Sequence, residues 1–276
     1  MMALPVSCAR VQSAFDAATA VTPLGEGRYR ARIDEGWDIA GNANGGYLIA
    51  LAARAIHDSV GRPPLSVTAH YLAPGRSGPC AIDVDVVRSG RRTATAVARL
   101  RTDVDVLIVL GTFGDQVPGG PTVIDGAPPD LPPFDECVRT VPPAPNSGFG
   151  RRVHVRIHPD DAGFRDGRPT GSGEIDGWFT FADAPPEAQR FDAFGLLQAA
   201  DAFAPVCFNR SEVPVAWAPT LELTVHVRGV PAPGALRCRF RNRFMQHGLF
   251  EEDGEMWDSE GVLVAQSRQL ALIPRG

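Results

Sequence analysis

In Gly195-Leu196-Leu197-Gln198-Ala199-Ala200-Asp201-Ala202-Phe203-Ala204-Pro205, a single acid interrupts a run with the composition of a buried helix. Taking a carboxylate out of water is costly, so Asp201 must either be held in a structural pairing or face a cleft that uses its charge. An earlier stretch, Gly46-Tyr47-Leu48-Ile49-Ala50-Leu51-Ala52-Ala53-Arg54-Ala55, echoes the same pattern. Laying Gly195 on Gly46 sets Ala52 against Asp201. The chain therefore reads as a duplication in which one copy carries an acid and the other does not.

The pattern predicts helices over residues 191–203 and 46–60. Asn44 is placed to cap the latter, and Gly45 and Gly46 permit close approach at its start. Outward from the helices the apolar period changes from 3.6 to 2. Strands are predicted at 65–72, 80–88, 93–101 and 105–113, parted by turn signals at Pro74-Gly75, Ser89-Gly90 and 101–103. Ahead of the first long helix come a short helix from Val11 to Ala20, a strand over 28–33 and a loop over 37–41. The second half repeats the order, with strands at 152–157 and 176–181, then the helix, then strands at 219–227, 236–244, 249–257 and 262–273. Thr68-Ala69-His70-Tyr71 is similar to Thr224-Val225-His226-Val227. Between the halves, Pro118, Pro121, Pro128, Pro129, Pro132, Pro133, Pro142, Pro143 and Pro145 disfavour regular structure and read as an extended connector. The expectation is an α+β chain of two helix-on-antiparallel-sheet units, 1–115 and 151–276, joined by a connector at 116–150.

The 276 residues are 44% hydrophobic and 21% charged, an ordinary globular composition. A net charge of −5 argues against nucleic acid or an anionic membrane as partner. The chain has no lysine, so arginine and histidine carry all the basic character. Its five cysteines, Cys8, Cys80, Cys137, Cys207 and Cys238, form no C-x-x-C pair, and a reducing cytoplasm is the expected location. Residues Met1 to Arg10 lack the features of a signal peptide. The most apolar run, Val106 to Leu110, is a strand's length and far too short to span a bilayer. The six histidines, His57, His70, His154, His158, His226 and His247, make no convincing metal set, and no metal or cofactor is expected.

A long helix wrapped by an antiparallel sheet, twice in one chain, resembles the double hot-dog fold. Three segments are similar to the type II acyl-CoA thioesterase family: the helix run carrying Asp201, Ala218-Pro219-Thr220-Leu221-Glu222, and the last strand up to Gln269. Asn44-Gly45-Gly46-Tyr47 and His70-Tyr71-Leu72-Ala73-Pro74-Gly75 are also similar to family segments. The resemblance implies a catalytic trio of Asp201, Thr220 and Gln269, an acyl-CoA substrate, no cofactor and a homo-oligomeric assembly.

These residue types suit thioester hydrolysis by water. Asp201 would take or orient the water's proton while Thr220 and Gln269 hold it by hydrogen bonds. Backbone N–H groups at Gly45 and Gly46 are candidates for the oxyanion site. Ungapped comparison sets Ala52, Pro64 and Gly114 opposite the trio, so one active site per chain is expected. Taken singly, Thr220 and Gln269 read as ordinary strand residues and Gly45-Gly46 as a cap. Arg237, Arg239, Arg241 and Arg243 form a basic strand face. A solvated outer sheet explains that face better than contact with coenzyme A phosphates. Two other readings compete: a non-catalytic acyl-CoA-binding protein, and an enoyl-CoA hydratase, which would need an Asp and His pair close in sequence near a helix start.

Overall fold

The computed structural model describes residues 13–117, 119, 121–140 and 148–274. The start of the helix expected from Val11, the Met1–Arg10 reading, Cys8, Pro118, Pro142, Pro143 and Pro145 lie outside the described residues. The first half builds helix α1 (Ala14–Ala18), strands β1 (Thr22–Gly25) and β2 (Arg28–Ile33), and a ribbon of β3 (Asp38–Ile39) and β4 (Asn42–Ala43). The long helix α2 (Gly45–Val60) follows, then β5 (Pro64–Tyr71), β6 (Gly78–Ser89), β7 (Thr93–Arg101) and β8 (Asp105–Gly114). The second half runs β9 (Val138–Arg139), the single turn α3 (Phe149–Arg152), β10 (Val153–Ile157), β11 (Glu174–Phe181) and α4 (Ala193–Ala199). It ends with β12 (Thr220–Val227), β13 (Leu236–Arg241), β14 (Met245–Gln246), β15 (Leu249–Trp257) and β16 (Leu263–Leu272).

Among the described residues, fourteen strands form one antiparallel sheet in the order β1-β2-β6-β7-β8-β5-β12-β16-β15-β13-β11-β10-β9, with β14 paired to β15. From the β5–β12 seam outward the two sides follow equivalent orders, as a duplicated unit requires, with β9 an additional edge strand on the second side. Thr68 and Thr224 face each other across that seam and share a side-chain hydrogen bond of 2.9 Å. Each central strand carries an irregularity at the same place, between Pro64 and Ser66 and between Thr220 and Glu222. Helix α2 packs on β5 to β8 and on α4, and its residues Tyr47 to Ala53 are all buried.

The ladders fix the equivalences that ungapped comparison only approached. Thr220 pairs with Ala271 as Pro64 pairs with Phe113, so Pro64 is the counterpart of Thr220. Gln269 pairs with Leu223 as Gly111 pairs with Val67. The counterpart of Gln269 is therefore Gly111, three residues before the Gly114 expected.

Helix α4 is shorter than its sequence pattern implied. It ends at Ala199, and Asp201 stands in the turn beyond it rather than on the helix. The helical partner of the Asp201 carbonyl would be the amide of Pro205, which has no N–H to give. That carbonyl instead accepts from Asn44 Nδ2 at 2.8 Å. The expected loop over 37–41 is the β3–β4 ribbon, turned by Ala40 and Gly41 at φ of 52° and 81°. The proline-rich stretch contributes β9, which pairs with β10, and Pro132, whose carbonyl accepts from Trp178 Nε1 at 3.0 Å.

Candidate active site

Asn44 organises the site. It caps α2, its Oδ1 accepting from the Tyr47 amide at 3.2 Å and from Gln198 Nε2 at 2.7 Å. Its Nδ2 donates to the Asp201 carboxylate at 3.0 Å as well as to the Asp201 carbonyl. The Gly46 amide donates to the same carboxylate oxygen at 2.9 Å. The turn after α4 thus delivers its acid to the N-terminus of α2, where unpaired amides and the helix dipole favour negative charge. Asp201 is half-buried as a residue, with its carboxyl against the α2 start. Burial pushes that carboxyl up to about 6, while the Gly46 and Gly45 amides and Asn44 hold it down.

Both glycines are required by close approach. A Cβ on Gly45 would stand 2.6 Å from Tyr71 Oη and 2.8 Å from Asp201 Oδ2. One on Gly46 would meet the carbonyls of Leu197 and Gln198 at 2.9 Å. The Gly46 amide, read from the sequence as an oxyanion candidate, donates to the Asp201 carboxylate.

Thr220 and Gln269 come together as the sequence implied, Thr220 Oγ1 donating to Gln269 Oε1 at 3.1 Å. Neither is hydrogen-bonded to Asp201. The connection runs through Glu252, which stands opposite Gln269 in the β15–β16 ladder. Gln269 Nε2 donates to Glu252 Oε1 at 3.1 Å, and the Val206 amide, from the turn that follows Asp201, donates to Glu252 Oε2 at 2.6 Å. Glu252 is only 5% exposed. Burial pushes its carboxyl up to about 8, with the Val206 amide opposing and the charges of Asp201 and Glu251 reinforcing the rise.

Sequence reasoning overlooked Glu252, Gln198 and Tyr71. A signal for Glu252 existed: strand alternation puts it on the same face as Phe250 and Met256, both buried. The Tyr71 hydroxyl is buried beside Asp201 without a hydrogen-bond partner, and burial and the charges of Asp201 and Glu222 drive its proton affinity up.

The first copy holds no such set. At the start of α4, Asp192 caps the Phe194 and Gly195 amides. Arg54 pairs with Asp192 at 3.1 Å and with Asp16 at 2.5 Å and lies over the Phe194 ring. The arginine-rich face on β13 is neutralised by neighbouring strands. Arg239 pairs with Asp176 at 2.8 Å and with Glu174, Arg241 with Glu174, and Arg243 with Asp253. Among the described residues no cluster of His, Cys, Asp and Glu could hold a metal ion, and no helix is long and apolar enough to cross a membrane.

The sheet topology is that of a double hot-dog protein, a fold also seen in a protein of unknown function from Alicyclobacillus acidocaldarius, 24% identical with a TM-score of 0.83 over 96% of this chain and all of that one. Family models for the acyl-CoA thioesterase N-terminal and C-terminal domains match residues 33–114 and 125–273. The chain belongs to the acyl-CoA thioesterase family. Among solved structures it is similar to one described as a candidate thioesterase II from Thermobifida fusca, at 32% identity and a TM-score of 0.86, covering 96% of this chain and 98% of that one. It is also 30% identical to an uncharacterised protein of Mycobacterium tuberculosis over 94% of this chain and 98% of the relative.

Proposed function

We propose that this chain hydrolyses acyl-CoA to free acid and coenzyme A at a single site in its second copy, with Asp201 as general base. In this reading residues 1–115 are the degenerate unit, 116–150 the connector and 151–276 the working unit. The observation that carries it is a carboxylate held in a buried amide pocket at another helix's N-terminus, its proton affinity raised toward neutrality, the range a general base needs. Thr220 donates its own proton to Gln269, which leaves its oxygen free to accept one from water. A water held by Asp201 and Thr220 has both hydrogens engaged and a lone pair turned outward. Asp201 takes a proton as the water oxygen bonds to the thioester carbon. The C–S bond then breaks, and that proton passes to the departing thiolate.

The partnerless Tyr71 hydroxyl beside Asp201 is the donor nearest to hand for the thioester oxygen, in place of the committed Gly46 amide. An assembly of several copies in the cytoplasm belongs to the same reading. It fits the open sheet edges at β1 and β9 and the free thiols of Cys80, Cys137, Cys207 and Cys238, and light scattering tests the assembly.

The experiment is a panel of acyl-CoAs from short to long, followed by release of free coenzyme A. Because those four thiols are buried, a thiol dye should show a small no-substrate baseline from them. Turnover of at least one chain length is expected. Saturable binding without release of acid would instead establish a non-catalytic acyl-CoA carrier.

A further inference from the structure

Glu252 is a buried acid beside the site for which the hydrolytic scheme has no use. Its surroundings are specific. From the turn after α4 come the Val206 amide, the Cys207 thiol and the charge of Asp201; from β16 comes Gln269; on its own strand stands Glu251. A side chain so enclosed cannot be explained as a solubilising charge. It is also part of the asymmetry between the copies. Glu252 pairs with Gln269 as Ala96 pairs with Gly111, so the first copy has alanine where the second has a buried acid.

We propose that Glu252 is a positioning residue that fixes the orientation of the Gln269 amide, and through it the hydroxyl direction of Thr220. The inference rests on the hydrolytic reading for its consequence but not for its geometry. With Glu252 as a pure acceptor of two N–H bonds, Gln269 must present nitrogen to Glu252 and oxygen to Thr220. The Thr220 proton is then spent on Gln269, and the Thr220 oxygen accepts from the nucleophilic water. If Glu252 becomes a donor on that side, the order reverses. Gln269 turns its oxygen to residue 252 and its nitrogen to Thr220, and the Thr220 proton points at the water's lone pair. That bond occupies the electrons needed for attack.

Glu252→Gln produces this reversal without changing volume, because the Val206 amide claims its oxygen and leaves its NH2 facing Gln269. Expected is a fall in kcat of roughly 10- to 100-fold with KM nearly unchanged, since misdirecting one catalytic contact acts on the transition state. The wild-type kcat should keep rising with pH up to about 8 as Glu252 ionises, and Glu252→Gln should lose that step. Mere space filling predicts the opposite: Glu252→Gln with kcat within twofold of wild type and the same pH profile would overturn the proposal.

A second readout does not depend on turnover. The side-chain NH2 resonances of Gln269, assigned by their loss in Gln269→Met, should shift through the Glu252 titration in wild type and stay fixed in Glu252→Gln. Resonances that ignore Glu252 would refute the positioning role even in an active enzyme. Resonances that follow it in a protein without turnover would sustain the positioning role and sink the hydrolytic reading.

Discussion

Asp201 and Glu252 are two carboxyls whose burial raises them above their ordinary range, and this has consequences for stability as well as chemistry. A carboxyl with a raised folded-state pKa contributes stability that is complete below its unfolded value and is lost as pH rises through the folded one. For Glu252 that window runs from 4.5 to about 8. Glu252→Gln should therefore gain melting temperature relative to wild type as pH climbs from 5 to 8, measured by thermal unfolding. A difference independent of pH over that range would mean that the folded acid ionises at its ordinary value and that burial does not raise it. The close approach at α2 gives a second residue-scale expectation. Gly46→Ala drives a methyl against two carbonyls and should cost ~1–3 kcal/mol in denaturant unfolding, with activity falling more than tenfold.

At the scale of elements, the strands were legible because alternation is a direct image of a sheet with one buried face. Thr93–Arg101 and Leu249–Trp257 fall where the pattern put them. The helix carrying Asp201 was over-read because Ala202, buried, and Phe203, partly buried, extend the apolar pattern, although the backbone there has left the helix. Pro205 was the available warning, a proline where the next helical donor should stand. Strands β1, β9 and β14, of two to four residues, are too short for a period to register. The basic face of β13 was read as a solvated surface; Arg239 is instead largely enclosed with Asp176, while Arg241 and Arg243 sit in more exposed pairs with Glu174 and Asp253. Arg241→Ala should accordingly leave KM for acyl-CoA unchanged and lower stability by less than ~1 kcal/mol, since half-exposed ion pairs contribute little.

At the scale of the whole molecule, the chain folds around a seam at which two similar units became unequal. Sequence comparison found the missing acid and the Pro64 counterpart, because those positions lie near segments that align without gaps. It placed the Gln269 counterpart three residues late, because that register is set by strand pairing and not by spacing along the chain. Glu252 and Tyr71 meet Asp201, Thr220 and Gln269 only in three dimensions, which is why a reading from local motifs did not single them out, whereas Asn44 was legible as a helix cap but not as the donor to Asp201. The first copy has Arg54 engaged by Asp16 and Asp192 where the second offers an acid to an amide pocket. In the proposed reading it contributes the α2 start and Tyr71 to a site whose acid, Thr220 and Gln269 come from its twin. The measurement that bears most directly on this account is kcat for Asp201→Asn, assayed by coenzyme A release at saturating acyl-CoA. A loss of roughly 10²-fold or more, with binding retained, is expected of a positioned general base; hydrolysis at the wild-type rate would contradict it.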